Sequence, residues 1–132
     1  MEVLEEKGVT FPQGFTANGV LSGIKKGRTT EDTALIYSKV PCKAAGVFTK
    51  NIVKAEPVKL SQQYVAKGTA QAIIANSGNA NACTGEQGAL AAKRMSCAVA
   101  EKLSLANEEV LVCSTGVIGQ QLPVEVIENH ID

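Results

Sequence analysis

The chain has 132 residues, with 13 basic and 13 acidic side chains, 45% hydrophobic and 20% charged residues. That size and balance suit one folded domain over residues 1–132 and exclude a disordered or low-complexity segment. Zero net charge argues against a nucleic-acid binder, which needs a basic surface to meet phosphates, and no apolar run approaches the ~18 residues of a membrane helix.

Residues 1–10 read as a charged lead-in whose acidic start lacks the basic and apolar regions of a signal peptide. From Gly14 to Lys25, small and apolar residues alternate, with Gly19 and Gly23 as weak points, so a bent strand is expected. Lys25 to Asp32 is a polar turn. Thr33 to Val40 reads as a strand, which Pro41 breaks. Ala44 to Thr49 reads as the next strand, pairing back as an antiparallel hairpin. Pro57 to Leu60 is a short extended piece, and Ser61 is placed to cap a brief helix through Val65 that Gly68 ends. Gln71 to Ala75 is a short buried strand, followed by a glycine- and asparagine-rich loop over 76–85.

The clearest helix covers 85–103. Thr84 and Gln87 fit a capping box, and Ala92, Met95, Val99 and Leu103 recur on one face. Val110 to Cys113 is a strand, and Pro123 opens a terminal helix carrying Val124, Ile127 and Ile131. Strands first, then strand–helix–strand–helix, predict a mixed α/β or α+β layered fold. Alanine and glycine make up 29 residues and aromatics only 4%. Such small side chains let backbones approach closely, and they suit an aromatic binding surface poorly.

Chemistry concentrates in two loops. Asn76 to Gly85 (NSGNANACTG) offers small polar residues and a helix start. It reads either as a cradle for an anion or as a tight loop whose asparagines bond its own backbone. Ser114 to Gly119 (STGVIG) follows a strand directly. A hydroxyl beside a glycine offers one O–H and one unencumbered N–H to a common point, the pair an oxyanion hole needs. An attacking group is harder to find. His130, the one imidazole, lies on a polar face near the chain end, so a serine–histidine–aspartate site is not expected. Cys83 and Cys113 flank the two loops without a basic partner in sequence. Cys42, Cys83, Cys97 and Cys113 match no zinc spacing, and are read as reduced, mostly buried thiols of a cytosolic protein. Residues 1–67 carry 10 basic and 6 acidic side chains, and residues 68–132 carry 3 and 7. Mutual docking or chance explains that polarity as well as a field steering an anionic substrate.

ANSGNANACTGEQG (75–88) and STGVIG (114–119) resemble two N-terminal motifs of the bifunctional ArgJ family of arginine biosynthesis. The likeness extends through Gly8-Val9-Thr10, Gly23-Ile24-Lys25-Lys26 and Ala44 to Thr49, with Asn51, Val53, Ala55 and Pro57. It runs from about residue 8 to 128.

The resemblance implies an α/β sandwich shared with the DmpA aminopeptidases. It implies a precursor that cleaves itself before an internal threonine, which becomes the nucleophile at the start of a β chain. It further implies an assembly of two α and two β chains, and acetyl transfer from N-acetylornithine to glutamate. Many members also accept acetyl-CoA as co-substrate; no other cofactor and no metal is expected. Family oxyanion donors fall on Thr115 and Gly116. These 132 residues correspond to the N-terminal part of an α chain and lack the cleavage threonine, so no transferase activity is expected of them alone. A DmpA-type aminopeptidase and a non-catalytic association module are the alternatives. Assaying amine release from peptides against acetyl transfer to glutamate separates the first.

Overall fold

A computed structural model of the protein describes residues 8–131. The acidic start of the expected lead-in, residues 1–7, therefore lies outside the described residues. Among the described residues four strands form one sheet: β1 (Phe15–Val20), β2 (Thr33–Lys43), β3 (Thr69–Asn79) and β4 (Val110–Val117), in that spatial order. The first two junctions are antiparallel and β3–β4 is parallel. A parallel pair needs a crossover, and α2 (Gly85–Leu103) supplies it. Helices α1 (Glu56–Val65) and α3 (Val124–Glu128) complete the set, with a 3-10 turn at Asn107–Glu109. The mixed, layered α/β class expected from the element order is the one observed.

The core lies between one sheet face and α2 and α3. Ala72 and Ile74 of β3 and Val110 and Val112 of β4 point to that face by the two-residue period of a strand. Ala91, Ala92, Met95, Val99 and Ala100 meet them from α2, and Leu122, Val124 and Ile127 from the C-terminal segment. Met95, Val99, Val110 and Ile127 are fully buried. The small residues of the α2 stripe bring helix and sheet backbones close. Helix α2 ends at Ser104, which is left-handed (φ 55). There the Leu105 N–H donates to the Ala100 carbonyl at 2.8 Å, covering one of the end carbonyls.

The opposite sheet face carries no helix of the described residues. Ala34 and Cys113 are exposed there, and Ile73 is 36% exposed.

Several local expectations change. Strand β2 does not stop at Pro41 but runs to Lys43, and its partner is β3, not residues 44–49. The proline is tolerated because it sits within the register shift between Tyr37 and Cys42. The Ser38 hydroxyl serves the backbone there, donating to the Val40 carbonyl at 2.7 Å. Residues 44–49 form no strand, since β3 already occupies that edge of β2. The segment runs irregularly and leaves Val47 wholly exposed.

Pro57 to Leu60 is helical, not extended. Proline fits the first turn of a helix, where its missing N–H costs nothing. Ser61 is therefore mid-helix and caps nothing. Its hydroxyl donates to the Val112 carbonyl at 2.7 Å and accepts the Val112 N–H at 2.9 Å. Strand β4 is an edge strand, so one helix hydroxyl satisfies a donor and an acceptor that the sheet leaves open. Helix α3 ends at Glu128, so Ile131 packs against the core from beyond it.

The capping box at Thr84 is also absent: Thr84 makes no side-chain cap bond, and its hydroxyl donates instead to Asn81 Oδ1 at 2.7 Å. The four cysteines are free thiols, but none is fully buried. Cys42 and Cys97 are half-buried, and Cys83 and Cys113 are exposed. Cys113 alternates with Val112 and so faces away from the helices. No helix among the described residues is long and apolar enough to cross a membrane.

Candidate active site

Because β3 and β4 run parallel, their C-terminal ends emerge on the same side of the sheet. In open α/β sheets that is where ligands gather. The two loops singled out in the sequence meet here. Ser77 pairs with Thr115, Gly78 with Gly116, and Asn79 with both Thr115 and Val117. The doubled partner of Asn79 marks a bulge, a device that re-aims side chains at a strand end.

Two glycines make the bulge possible. Gly116 has φ +135, and a Cβ there would overlap the Gly78 carbonyl carbon and come within 2.6 Å of its oxygen. Gly78 has φ +109, and a Cβ on it would meet Lys25 Cγ at 2.7 Å and Ile24 Cγ2 at 3.2 Å. Gly78 is thus held between the turn after β1 and Gly116.

Thr115 is exposed on the face away from the helices. It lines a groove of about 300 Å³ with Glu31, Asp32, Thr33, Ala34, Ala75, Asn76 and Ser77. The two residues expected to donate to an oxyanion are therefore adjacent at a strand end, with the threonine bordering open space.

One wall of that groove is organised by Asp32, a 3% exposed carboxylate. Its Oδ1 accepts the Ser22 N–H at 2.8 Å and the Ser22 hydroxyl at 2.7 Å. Its Oδ2 accepts the N–H groups of Lys25 at 3.1 Å and Gly23 at 3.2 Å. Burial by itself raises the Asp32 pKa, but the Lys25 N–H, the Ser22 hydroxyl and the other two N–H groups outweigh it and hold the carboxyl below its ordinary value. The sequence placed Asp32 merely in a polar turn; its partners lie up to ten residues back, beyond any local pattern.

The asparagine loop resolves toward the bonded-loop reading. Residues 76–79 extend β3. The Asn79 amide donates to the Gln120 and Gln121 carbonyls, both at 3.1 Å. Asn81, wholly buried, donates to the Gly88 carbonyl at 2.8 Å, and its N–H donates to Asn79 Oδ1 at 2.8 Å. The Ala80 N–H is taken by the Val117 carbonyl. Gly88 is glycine because a Cβ would overlap the Thr84 hydroxyl and meet Asn81 Oδ1 at 2.6 Å. These groups bind one another and tie the start of α2 to the segment after β4.

The remaining candidates stay apart. His130 is exposed, with Nδ1 2.7 Å from the Val126 carbonyl oxygen, at the far end of the chain. Desolvation by the surrounding sheet raises the Cys113 thiol above its ordinary pKa, which disfavours the reactive thiolate. Among the described residues, no group of three histidine, cysteine or carboxylate side chains is placed to hold a metal ion.

Comparison with known proteins bears on the same region. Residues 16–132 match the ArgJ family. The arginine biosynthesis bifunctional protein ArgJ of Caldanaerobacter subterraneus subsp. tengcongensis is 53% identical over 132 residues, all of this chain and 32% of that protein. The chain thus spans about a third of the length of the curated relatives it matches. The crystal structure of ornithine acetyltransferase from Mycobacterium tuberculosis, in complex with ornithine, superposes with a TM-score of 0.92 at 45% identity. That match covers 97% of this chain and 69% of the other. The crystal structure of the ArgJ protein of Bacillus halodurans gives 0.85 at 44%, covering 90% and 62%. The family match, the curated relative and both solved structures agree: the chain belongs to the ArgJ family.

Proposed function

We propose that this chain supplies the oxyanion-binding part of a cytoplasmic amino-acid acetyltransferase of arginine biosynthesis. The Thr115 hydroxyl and the Gly116 N–H are the donors. The substrates are N-acetylornithine and glutamate. The attacking hydroxyl belongs to the N-terminal threonine of a β chain cleaved from the same precursor, in an assembly of two α and two β chains.

The chemistry follows from what acyl transfer needs. A threonine hydroxyl attacks the acetyl carbonyl, and the amine of that threonine takes its proton. The carbonyl oxygen becomes an anion in the tetrahedral intermediate. The C–N bond then breaks, ornithine leaves as the proton passes to it, and the acetyl group stays on the threonine. The glutamate amine attacks that ester through a second anion of the same kind; the ester C–O bond breaks, the threonine oxygen recovers the proton the attacking amine gives up, and N-acetylglutamate leaves. Fixed donors aimed at this oxygen act more strongly away from water than in it.

One observation carries the reading: Thr115 borders an open groove directly beside Gly116. The bare sheet face around Ile73, Ala34 and Cys113 is where the β chain would pack, and closing it would dry the site. The Thr115→Ala variant of the complete enzyme tests the role. The expected result is a fall in kcat of about 10²–10³ with little change in KM, since one donor to the transition state is lost. An unchanged kcat overturns the assignment. Release of amine from peptides, without acetyl transfer to glutamate, would point instead to the DmpA-type reaction. Replacing N-acetylornithine by acetyl-CoA in the same assay decides whether the thioester is also a donor.

A further inference from the structure

We infer that Asp32 is a positioning residue for the Thr115–Gly116 donor pair, acting through the turn after β1. The inference rests on the oxyanion reading above and adds a residue to it.

Asp32 joins three parts of the sheet. Its N–H donates to the Val20 carbonyl at 3.0 Å, at the end of β1. Its carbonyl accepts the Ser77 N–H at 2.8 Å, and Ser77 is the register partner of Thr115. Its carboxylate takes four hydrogen bonds from Ser22, Gly23 and Lys25. The Ser22 hydroxyl also lies 2.8 Å from the Thr33 hydroxyl, which closes the cluster.

The turn so fixed bears on the site. The Ile24 and Lys25 side chains fill the space where Gly78 would carry a Cβ, and the Gly78 backbone fills the space where Gly116 would carry one. Packed contacts transmit displacement because protein interiors leave little free volume. Carboxylate, turn, Gly78 and Gly116 are in contact in series, so a shift of the turn reaches the strand end that carries Thr115 and Gly116. Donors to an oxyanion must lie within a few tenths of an ångström of their target distance, about 2.7–3.1 Å. A looser turn therefore reaches the chemistry without touching substrate.

The geometry also says why a carboxylate is needed. All four groups facing Asp32 are donors. An asparagine has one acceptor oxygen and would turn an NH₂ group toward two donors. Asp32→Asn thus preserves size and breaks half of the cluster.

The test is a double-mutant cycle in the complete enzyme, reading kcat and KM for acetyl transfer. Asp32→Asn is expected to lower kcat about 10- to 100-fold and leave KM within about threefold. In the Thr115→Ala background the same change should cost a clearly smaller factor than in the parent, because one of the two donors it positions is already gone. Equal losses in both backgrounds would overturn the inference and make Asp32 a purely structural residue. Should Asp32→Asn fail to fold, Ser22→Ala, which removes one of the four donors, takes its place. It is expected to cost a smaller factor that again shrinks in the Thr115→Ala background, and equal losses there refute the inference too. If Thr115→Ala alone leaves kcat unchanged, the oxyanion reading falls and this inference falls with it, an outcome distinct from an additive cycle.

Discussion

Replacing Gly116 by alanine separates backbone strain from steric contact, because the chain contains its own control. Gly116 (φ +135) and Gly119 (φ +78) lie in the same segment and both occupy the conformational half that favours glycine. At Gly119 an added Cβ meets nothing within 4 Å, whereas at Gly116 it meets the backbone of Gly78 and Asn79. Gly119→Ala should therefore cost strain alone, about 1–2 kcal/mol. Gly116→Ala should cost strain of about 1–3 kcal/mol and about 1–3 kcal/mol more for forcing atoms into a filled space. Backbone cannot rotate aside as a side-chain tip can, so the second contribution does not relax cheaply. Urea denaturation of both variants and the parent, followed by circular dichroism, measures the difference. Gly116→Ala is expected to be the less stable by at least about 1 kcal/mol. Stabilities equal within about 0.5 kcal/mol would mean that β4 does not press on Gly78, and the account of the bulge would be wrong.

Two further outcomes follow from buried hydrogen bonds. Ser61→Ala leaves the N–H and carbonyl of Val112 without the hydroxyl that serves both, so a loss of about 1–3 kcal/mol is expected in the same denaturation assay; an unaltered midpoint would show that α1 does not seal the β4 edge. Asp32 is held below its ordinary pKa in the folded protein, so its contribution to stability is present above the unfolded value of about 3.9 and is lost as pH falls through the lowered folded value. Asp32→Asn should flatten the fall in stability between about pH 5 and pH 2, and a variant with the parent's acid slope would deny the carboxylate that role.

What the sequence revealed and what it hid divide along the range of the interactions involved. Helix α2 was legible to the residue because its apolar spacing is a local, repeated signal. Strand β2 was cut short because Pro41 is a strong local breaker, and nothing nearby discloses that a register shift will absorb it. Helix α1 was missed at its start because a proline reads the same in an extended piece and in a first helical turn. Ser61 looked like a cap because its true partner, Val112, is 51 residues away.

The same division explains the site. Thr115 and Gly116 were legible as a motif, and Asn76 to Gly85 as a second one with two rival readings. The parallel register of β3 and β4 makes them a single feature, since Ser77 faces Thr115 and Gly78 faces Gly116. That pairing assigns the labour: the asparagines hold the strand ends together, while the groove beside Thr115 stays open. It also brings in Asp32, which no motif contains, because the turn it ties rests on Gly78. A glycine in one loop is required by the backbone of the other, so neither loop can be understood, or altered safely, by itself.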